Sequence, residues 1–302
     1  MKLTILGCFS ASPSSNAKPT SQVLEIANHV ILIDCGENTQ VELRRQKIKF
    51  SRIKQIFISH LHGDHFYGLI GLISTFSLLN RKTDLHVYGP KGIKEIILLQ
   101  LKYGNAYTTF ELYFHELTSA ESELVFEDHK IEVHTIPLEH RVYTNGYLYK
   151  EKPGDRKLNM AQVEKYPIEV SQYNNLKKGK DVVLDDGSII ANKELTLDPL
   201  PPRSYAFCSD TKYKPDIIPL IKGVTGLYHE STFLESHVHL CEKTKHATAK
   251  QAAKIAKAAE VGLLILGHYS GRYKSLSLFK AEAEEVFDHV ALAEDGKVFE
   301  FD

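Results

Sequence analysis

The sequence predicts a layered α/β sandwich, and three observations carry that prediction. Short β-prone runs alternate with helix-forming stretches in both halves of the 302 residues. Histidines and aspartates recur just beyond the ends of apolar strands, where loops of such a sandwich would gather them. The composition, 43% hydrophobic and 25% charged, is that of an ordinary globular chain and argues against a disordered protein. One compact catalytic domain over 1–302 is expected, interrupted once at about 150–200.

Residues 2–9, 23–26 and 29–34 are β-prone runs separated by turn formers and read as adjoining strands. Residues 37–48 have helix-forming composition, and 53–58 return to a buried-strand pattern that stops at Ser59. A helix over 66–79, a strand over 85–88, a turn at Gly89 and Pro90 and a helix to about 103 follow. Between 111 and 137 the apolar positions alternate, which predicts an antiparallel meander turning near Asp128, with His140 directly after it. Periodicity weakens over about 150–200, where Pro, Gly, Asn and Lys are frequent, so this stretch reads as an insertion. Clear signals resume with strands at 205–209 and 226–228, a helix over 247–260, a strand at 262–266, a helix over 277–290 and a last strand at 297–301.

The net charge of −1 hides an uneven distribution. Residues 150–180 hold eight basic and four acidic side chains, a net of +4, which leaves the rest near −5. Cys8, Cys35, Cys208 and Cys241 are dispersed, so neither a disulfide framework nor a four-cysteine zinc site is expected, and a reducing cytoplasm fits. Apolar runs fall short of the roughly 18 residues a spanning helix needs, and no membrane partner is expected. The opening run to Cys8 is also shorter than a signal-peptide apolar region.

The chemistry centres on Ser59-His60-Leu61-His62-Gly63-Asp64-His65, three imidazoles and a carboxylate within six positions after an apolar strand. Imidazole nitrogen and carboxylate oxygen suit zinc, and a strand-end loop can turn alternate side chains towards two neighbouring ions. Gly63 is expected to permit the tight backbone path. A metal-free cluster would leave many ring nitrogens without partners. His140, Asp210 and His268 each follow an apolar strand and are candidates to complete two coordination shells.

These motifs, with Ser209-Asp210-Thr211, His229-Glu230-Ser231-Thr232, His246-Ala247-Thr248 and Gly267-His268-Tyr269-Ser270-Gly271-Arg272-Tyr273, resemble the metallo-β-lactamase superfamily. Within it the chain resembles the ribonuclease Z family along nearly its whole length. The resemblance implies an αββα sandwich with an inserted tRNA-binding arm. It further implies two Zn2+ per subunit, one held by His60, His62 and His140, the other by Asp64, His65 and His268, with Asp210 shared. Mn2+ or Fe2+ could use the same donors. Asp64 would also orient the attacking water, and His246, held by Glu230, would protonate the departing oxygen.

The implied activity is endonucleolytic removal of the 3′ trailer from precursor tRNA, leaving a 3′-hydroxyl on the tRNA and a 5′-phosphate on the trailer. The implied protein is a cytoplasmic homodimer. The arm would grip tRNA through Lys177, Lys178 and Lys180, although the glycine-proline pair usual there is missing. Near the amino terminus the family's cleavage-flanking loop is replaced by Asn16-Ala17-Lys18-Pro19-Thr20-Ser21-Gln22, in which Lys18 is the candidate phosphate contact. The alternatives are another phosphodiesterase of the same fold and a catalytically silent RNA-binding scaffold.

Overall fold

The computed structural model describes residues 1–11 and 17–301, so Asn16 lies outside the described residues. By Cα packing the chain divides into two compact units: one of 1–127, 131–150 and 203–302, the other of 128–130 and 151–202.

In the larger unit the first apolar runs form β1 (Lys2–Gly7), β2 (Ser21–Ile26) and β3 (His29–Ile33), followed by α1 (Thr39–Arg45) and β4 (Ile53–Phe57). The helix expected over 66–79 is broken into α2 (Gly63–Phe66) and α3 (Gly68–Leu78). The break presses Gly68 against the chain at Gly36, where a Cβ would stand 2.0 Å from the Gly36 carbonyl oxygen, so only glycine fits. Next come β5 (Leu85–Pro90), α4 (Ile93–Tyr103), β6 (Leu112–Leu117), β7 (Leu124–Glu127), β8 (Ile131–Pro137) and β9 (Asn145–Glu151).

The smaller unit contains β10 (Lys157–Leu158), α5 (Met160–Val163), α6 (Tyr173–Lys177), β11 (Val182–Val183), β12 (Ile189–Ile190), α7 (Asn192–Leu195) and β13 (Thr196–Leu197). After it the larger unit resumes with β14 (Ser204–Cys208), β15 (Gly226–Glu230), α8 (Cys241–Thr244), α9 (Ala249–Ala258), β16 (Leu263–Gly267), α10 (Ser277–Glu284), β17 (Val290–Leu292) and β18 (Val298–Glu300).

Two seven-stranded sheets result, ordered β18-β1-β2-β3-β4-β5-β6 and β17-β16-β15-β14-β9-β8-β7. Phe57 and Tyr88 from one sheet and Tyr147, Tyr205 and Phe207 from the other share a single buried cluster. The outer face of the first sheet buries Leu32, Ile56 and Val87 against Leu69, Leu72 and Phe76 of α3 and Ile97 of α4. Helices α9 and α10 pack on the second sheet. The layer order is therefore αββα, as expected from the sequence.

The expected meander over 111–137 needs correction. Strand β6 pairs in parallel with β5 in the first sheet, and only β7 and β8 form an antiparallel pair, in the second. Alternation of apolar residues reports a half-exposed strand; it carries no information on strand direction or on which sheet the strand joins. The helix expected to reach residue 290 ends at Glu284, and β17 adds an edge strand parallel to β16. Strand β9 escaped notice because it opens with Asn145 and Gly146; a Cβ at Gly146 would meet the Phe207 carbonyl oxygen at 2.3 Å.

The smaller unit is folded. Val163, Leu176, Val182, Ile190 and Leu195 form its core, and the buried Asn192 amide donates to the carbonyls of Leu176 and Lys180. Over 151–202 nine acidic residues oppose eight basic ones, since Asp181, Asp185, Asp186, Glu194 and Asp198 fall just after the cationic stretch. Positive charge is therefore local, with Lys177, Lys178 and Lys180 exposed around the end of α6.

Candidate metal centre

The C-terminal ends of strands from both sheets meet, as ligand sites in α/β sheets do. The loop after β4 delivers His60, His62, Asp64 and His65, while His140, Asp210 and His268 follow β8, β14 and β16. His60, His62, His140 and Asp210 form one group of potential ligands, and Asp64, His65 and His268 another. In the first, His60 Nε2 lies 3.0 Å from His62 Nδ1. The Nε2 atoms of His60 and His140 each lie 3.6 Å from Asp210 Oδ2. In the second, His65 Nε2 is 3.4 Å from Asp64 Oδ2, and His268 Nε2 is 3.6 Å from the same oxygen. Asp210 Oδ1 lies 3.4 Å from His65 Nε2 and 3.1 Å from His268 Nε2. One carboxylate thus turns a different oxygen to each group.

These separations suit metal ions. A tetrahedral site with metal–nitrogen bonds of about 2.0–2.1 Å has ligand–ligand edges of about 3.3–3.4 Å. His65 Nε2 and His268 Nε2 are buried with no hydrogen-bond partner among the described residues, a costly arrangement unless a cation takes their lone pairs. Burial alone would keep His65 neutral, but Asp210, Asp64 and Asp34 around it outweigh burial and raise its pKa well above the usual range. The position attracts positive charge. His60 is held well below its ordinary value, by burial first and then by neighbouring imidazoles, which leaves it a neutral lone-pair donor.

A surrounding shell fixes the ring tautomers. His65 Nδ1 donates to Asp34 Oδ2 at 2.7 Å. Ser59 Oγ donates to the same carboxylate at 2.9 Å and sits 3.0 Å from His60 Nδ1. His140 Nδ1 donates to the Lys245 carbonyl at 2.9 Å, and Thr232 Oγ1 lies 2.9 Å from His268 Nδ1. With their Nδ1 positions occupied, these four rings turn Nε2 inward. Asp34, Ser59 as a bridge, and Thr232 were not singled out from the sequence. Asp34 carried a readable signal: it too is an acid directly after an apolar strand. Asp34 and His268 both adopt left-handed backbone, with φ of 53° and 59°, a strain that persists where the surroundings hold a functional residue in place.

Gly63 acts differently from expectation. Its φ is not in the left-handed region; a Cβ there would strike the Tyr67 ring at 2.3 Å, so glycine makes room for that aromatic.

Beside the metal-ligand groups lies a carboxylate–imidazole pair. Glu230, the last residue of β15, is fully buried and accepts from His246 Nδ1 at 2.8 Å. It also accepts from the Thr232 hydroxyl at 2.8 Å and from the amides of Thr232 at 2.9 Å, Ala247 at 3.1 Å and Thr211 at 3.2 Å. Burial raises the Glu230 pKa, but His246 outweighs it and the net shift is downward. Burial likewise disfavours the cationic form of His246, yet Glu230 wins and raises it to about 9. A ring nitrogen of His246 lies within 4.8 Å of ligand atoms of Asp210 and His268. Helix α9 starts later, with Thr248 and Gln251 in a capping box, so His246 stands in the preceding segment and takes no part in the cap.

Lys18 is ion-paired in this structure. Its ammonium lies 3.0 Å from Glu42 and 3.6 Å from Asp295, and the pair of carboxylates neutralises it inside the larger unit. Lys177, Lys178 and Lys180 belong to the smaller unit described above.

A family model described as "Anti-Pycsar protein Apyc1" matches residues 1–152, the part that carries His60 to His65 and His140 but neither Glu230 nor His246. The structure of human tRNase Z, short form, is 25% identical, with a TM-score of 0.73 and full coverage of both chains. The metallo-β-lactamase fold protein YhfI from Bacillus subtilis, 19% identical, covers 99% of each chain with a TM-score of 0.69 and shows the fold. Ribonuclease Z of Bacteroides fragilis is 43% identical over 97% of each chain. Ribonuclease Z of Cytophaga hutchinsonii is 46% identical over 99% of this chain and 95% of its own. Likeness of this degree along nearly the whole sequence means that the chain belongs to the ribonuclease Z family.

Proposed function

We propose that the protein is the endoribonuclease that cuts the 3′ trailer from precursor tRNA, leaving a 3′-hydroxyl on the tRNA and a 5′-phosphate on the trailer. The observation that carries this reading is the buried Glu230–His246 pair beside the metal-ligand groups, in a chain whose relatives are ribonucleases Z over almost their full length. A metal cluster alone serves many hydrolyses; an added proton donor fits one with a poor leaving group such as a ribose 3′ oxygen.

His60, His62 and His140 would hold one ion and Asp64, His65 and His268 a second, with Asp210 shared. The nitrogen-rich, tetrahedrally spaced donors favour Zn2+, with Mn2+ or Fe2+ able to use them. When bound, such ions acidify water and offset charge on phosphoryl oxygens. The protein's own groups do the rest. Asp64 Oδ2, which also accepts from the Ala11 amide at 2.8 Å, offers an acceptor that orients the attacking water. Glu230 occupies His246 Nδ1, so the proton for the departing oxygen sits on Nε2. Lys177, Lys178 and Lys180 would hold tRNA phosphates without reading sequence.

Four buried free cysteines support a reducing, cytoplasmic setting. No described helix is long and apolar enough to cross a membrane. A homodimer is proposed on the family resemblance alone, and sedimentation equilibrium measures it.

The test is incubation of the metal-loaded protein with a precursor tRNA and mapping of both product ends. A single cut at the trailer junction with the stated ends is expected. An intact precursor alongside hydrolysis of a small phosphodiester would instead assign a smaller substrate, and loss of both would leave an RNA-binding scaffold.

A further inference from the structure

A second cavity lies away from the metal centre, at the opposite end of β4. It has a volume of about 550 Å3, within the range of small-molecule sites. Its cationic lining is Arg44 from α1, Lys49, Arg81 and Lys82, and no acidic side chain lines it. Its apolar part is Ile48, Phe50, Phe76 and Leu79.

Arg81 is the unusual member. It is only 8% exposed, and its four hydrogen bonds all go to carbonyl oxygens: Nε to Thr83, Nη1 to Phe50, and Nη2 to Ile53 and Asp84. A guanidinium has five N–H donors, so one on Nη1 is left over. Carbonyl partners satisfy donors without cancelling charge, and the Asp84 carboxylate that offsets part of it lies outside the cavity lining, so the guanidinium keeps positive character at the cavity wall. The guanidinium also packs over the Phe76 ring at 4.8 Å, and Arg44 lies 5.3 Å from the Phe50 ring centre. Both cations lie against aromatic faces that line the same cavity.

Four cations with no lining carboxylate call for more than one negative charge, and the apolar wall calls for a body that benefits from leaving water. We propose that this cavity binds an organic phosphate of about mononucleotide size, its phosphate among Arg44, Lys49, Arg81 and Lys82. Ile53 opens β4 and His60 follows its end. At about 3.3 Å per residue the site is some 16 Å or more from the metal groups. It is distinct from the catalytic cluster. The phosphate could belong to a free nucleotide or to the 5′ end of an RNA, and both present the same chemistry.

Isothermal titration calorimetry of the full-length, metal-loaded protein tests this with AMP, adenosine and a 5′-phosphorylated RNA trinucleotide. AMP or the trinucleotide is expected to bind while adenosine does not. The double variant Lys49→Glu, Lys82→Glu is expected to weaken that binding about tenfold or more, with melting temperature, metal content and small-phosphodiester hydrolysis unchanged. Arg44→Ala provides a second, charge-removing variant with the same expectation. Tighter binding of AMP assigns a free nucleotide, tighter binding of the trinucleotide an RNA end. No phosphate-dependent binding at millimolar concentration, or an affinity equal in wild type and both variants, overturns the proposal; the latter would place the ligand at the metal centre.

Discussion

Around Asp210 the groups are buried or half-buried, and the rings of His60, His65, His140 and His268 are held from behind by a carboxylate, a hydroxyl or a carbonyl. In the inserted unit, by contrast, Lys177, Lys178 and Lys180 stand exposed at the end of a five-residue helix. The first region needs its donors fixed before a metal or substrate arrives, because misplaced ligands in a low-dielectric site lose most of their value. The second needs only charge at a surface, where phosphates are met in water and salt. On the function proposed above, the difference teaches that chemistry and substrate choice would be separable: one would live in geometry, the other in local charge on a small folded support.

Substitutions can break or sharpen that separation. The largest effect is expected from Asp210→Ala, which removes the carboxylate shared by both groups. Metal content measured by plasma mass spectrometry should fall at both sites, and turnover should drop by about 10³-fold or more, a loss of several kcal/mol. His246→Ala should lower turnover on precursor tRNA by about 10² to 10³-fold with metal content intact; unchanged single-turnover rates would remove the proton donor from the scheme.

Asp34→Ala acts through His65 and should weaken metal affinity about 10 to 100-fold, as read by competition with a chromogenic chelator. The smallest effect is expected from Ala at Lys177, Lys178 and Lys180 together. Precursor tRNA binding should weaken, and the slope of log affinity against log salt should become shallower by about 2. Hydrolysis of bis(p-nitrophenyl) phosphate should be unaltered. If that small substrate suffers equally, the separation between the two regions fails.

The candidate ligand cluster was legible because its residues are contiguous and chemically rare, and His140, Asp210 and His268, which the fold gathers beside it, because each follows an apolar run. Asp34 shows the same strand-end placement but stands alone, and a single acid after a strand is common. Thr232 and Ser59 were invisible as contributors, since a hydroxyl's partner across the fold leaves no local pattern. The ion pairs of Lys18 were hidden for the converse reason: Glu42 and Asp295, which meet it, are distant in sequence. The arm's charge was overestimated because the window stopped before Asp181 and its acidic neighbours.

The strands, most helices and the residue types able to bind metal were therefore determined by the sequence itself, through periodicity and side-chain chemistry, which act locally. Only the tertiary structure decided that β6 runs parallel to β5, that β18 pairs with β1, and that Asp210 turns one oxygen to each ligand group. Pairing direction, ring tautomers and shared ligands depend on contacts between segments far apart in the chain, and those exist only once the two sheets have closed on each other.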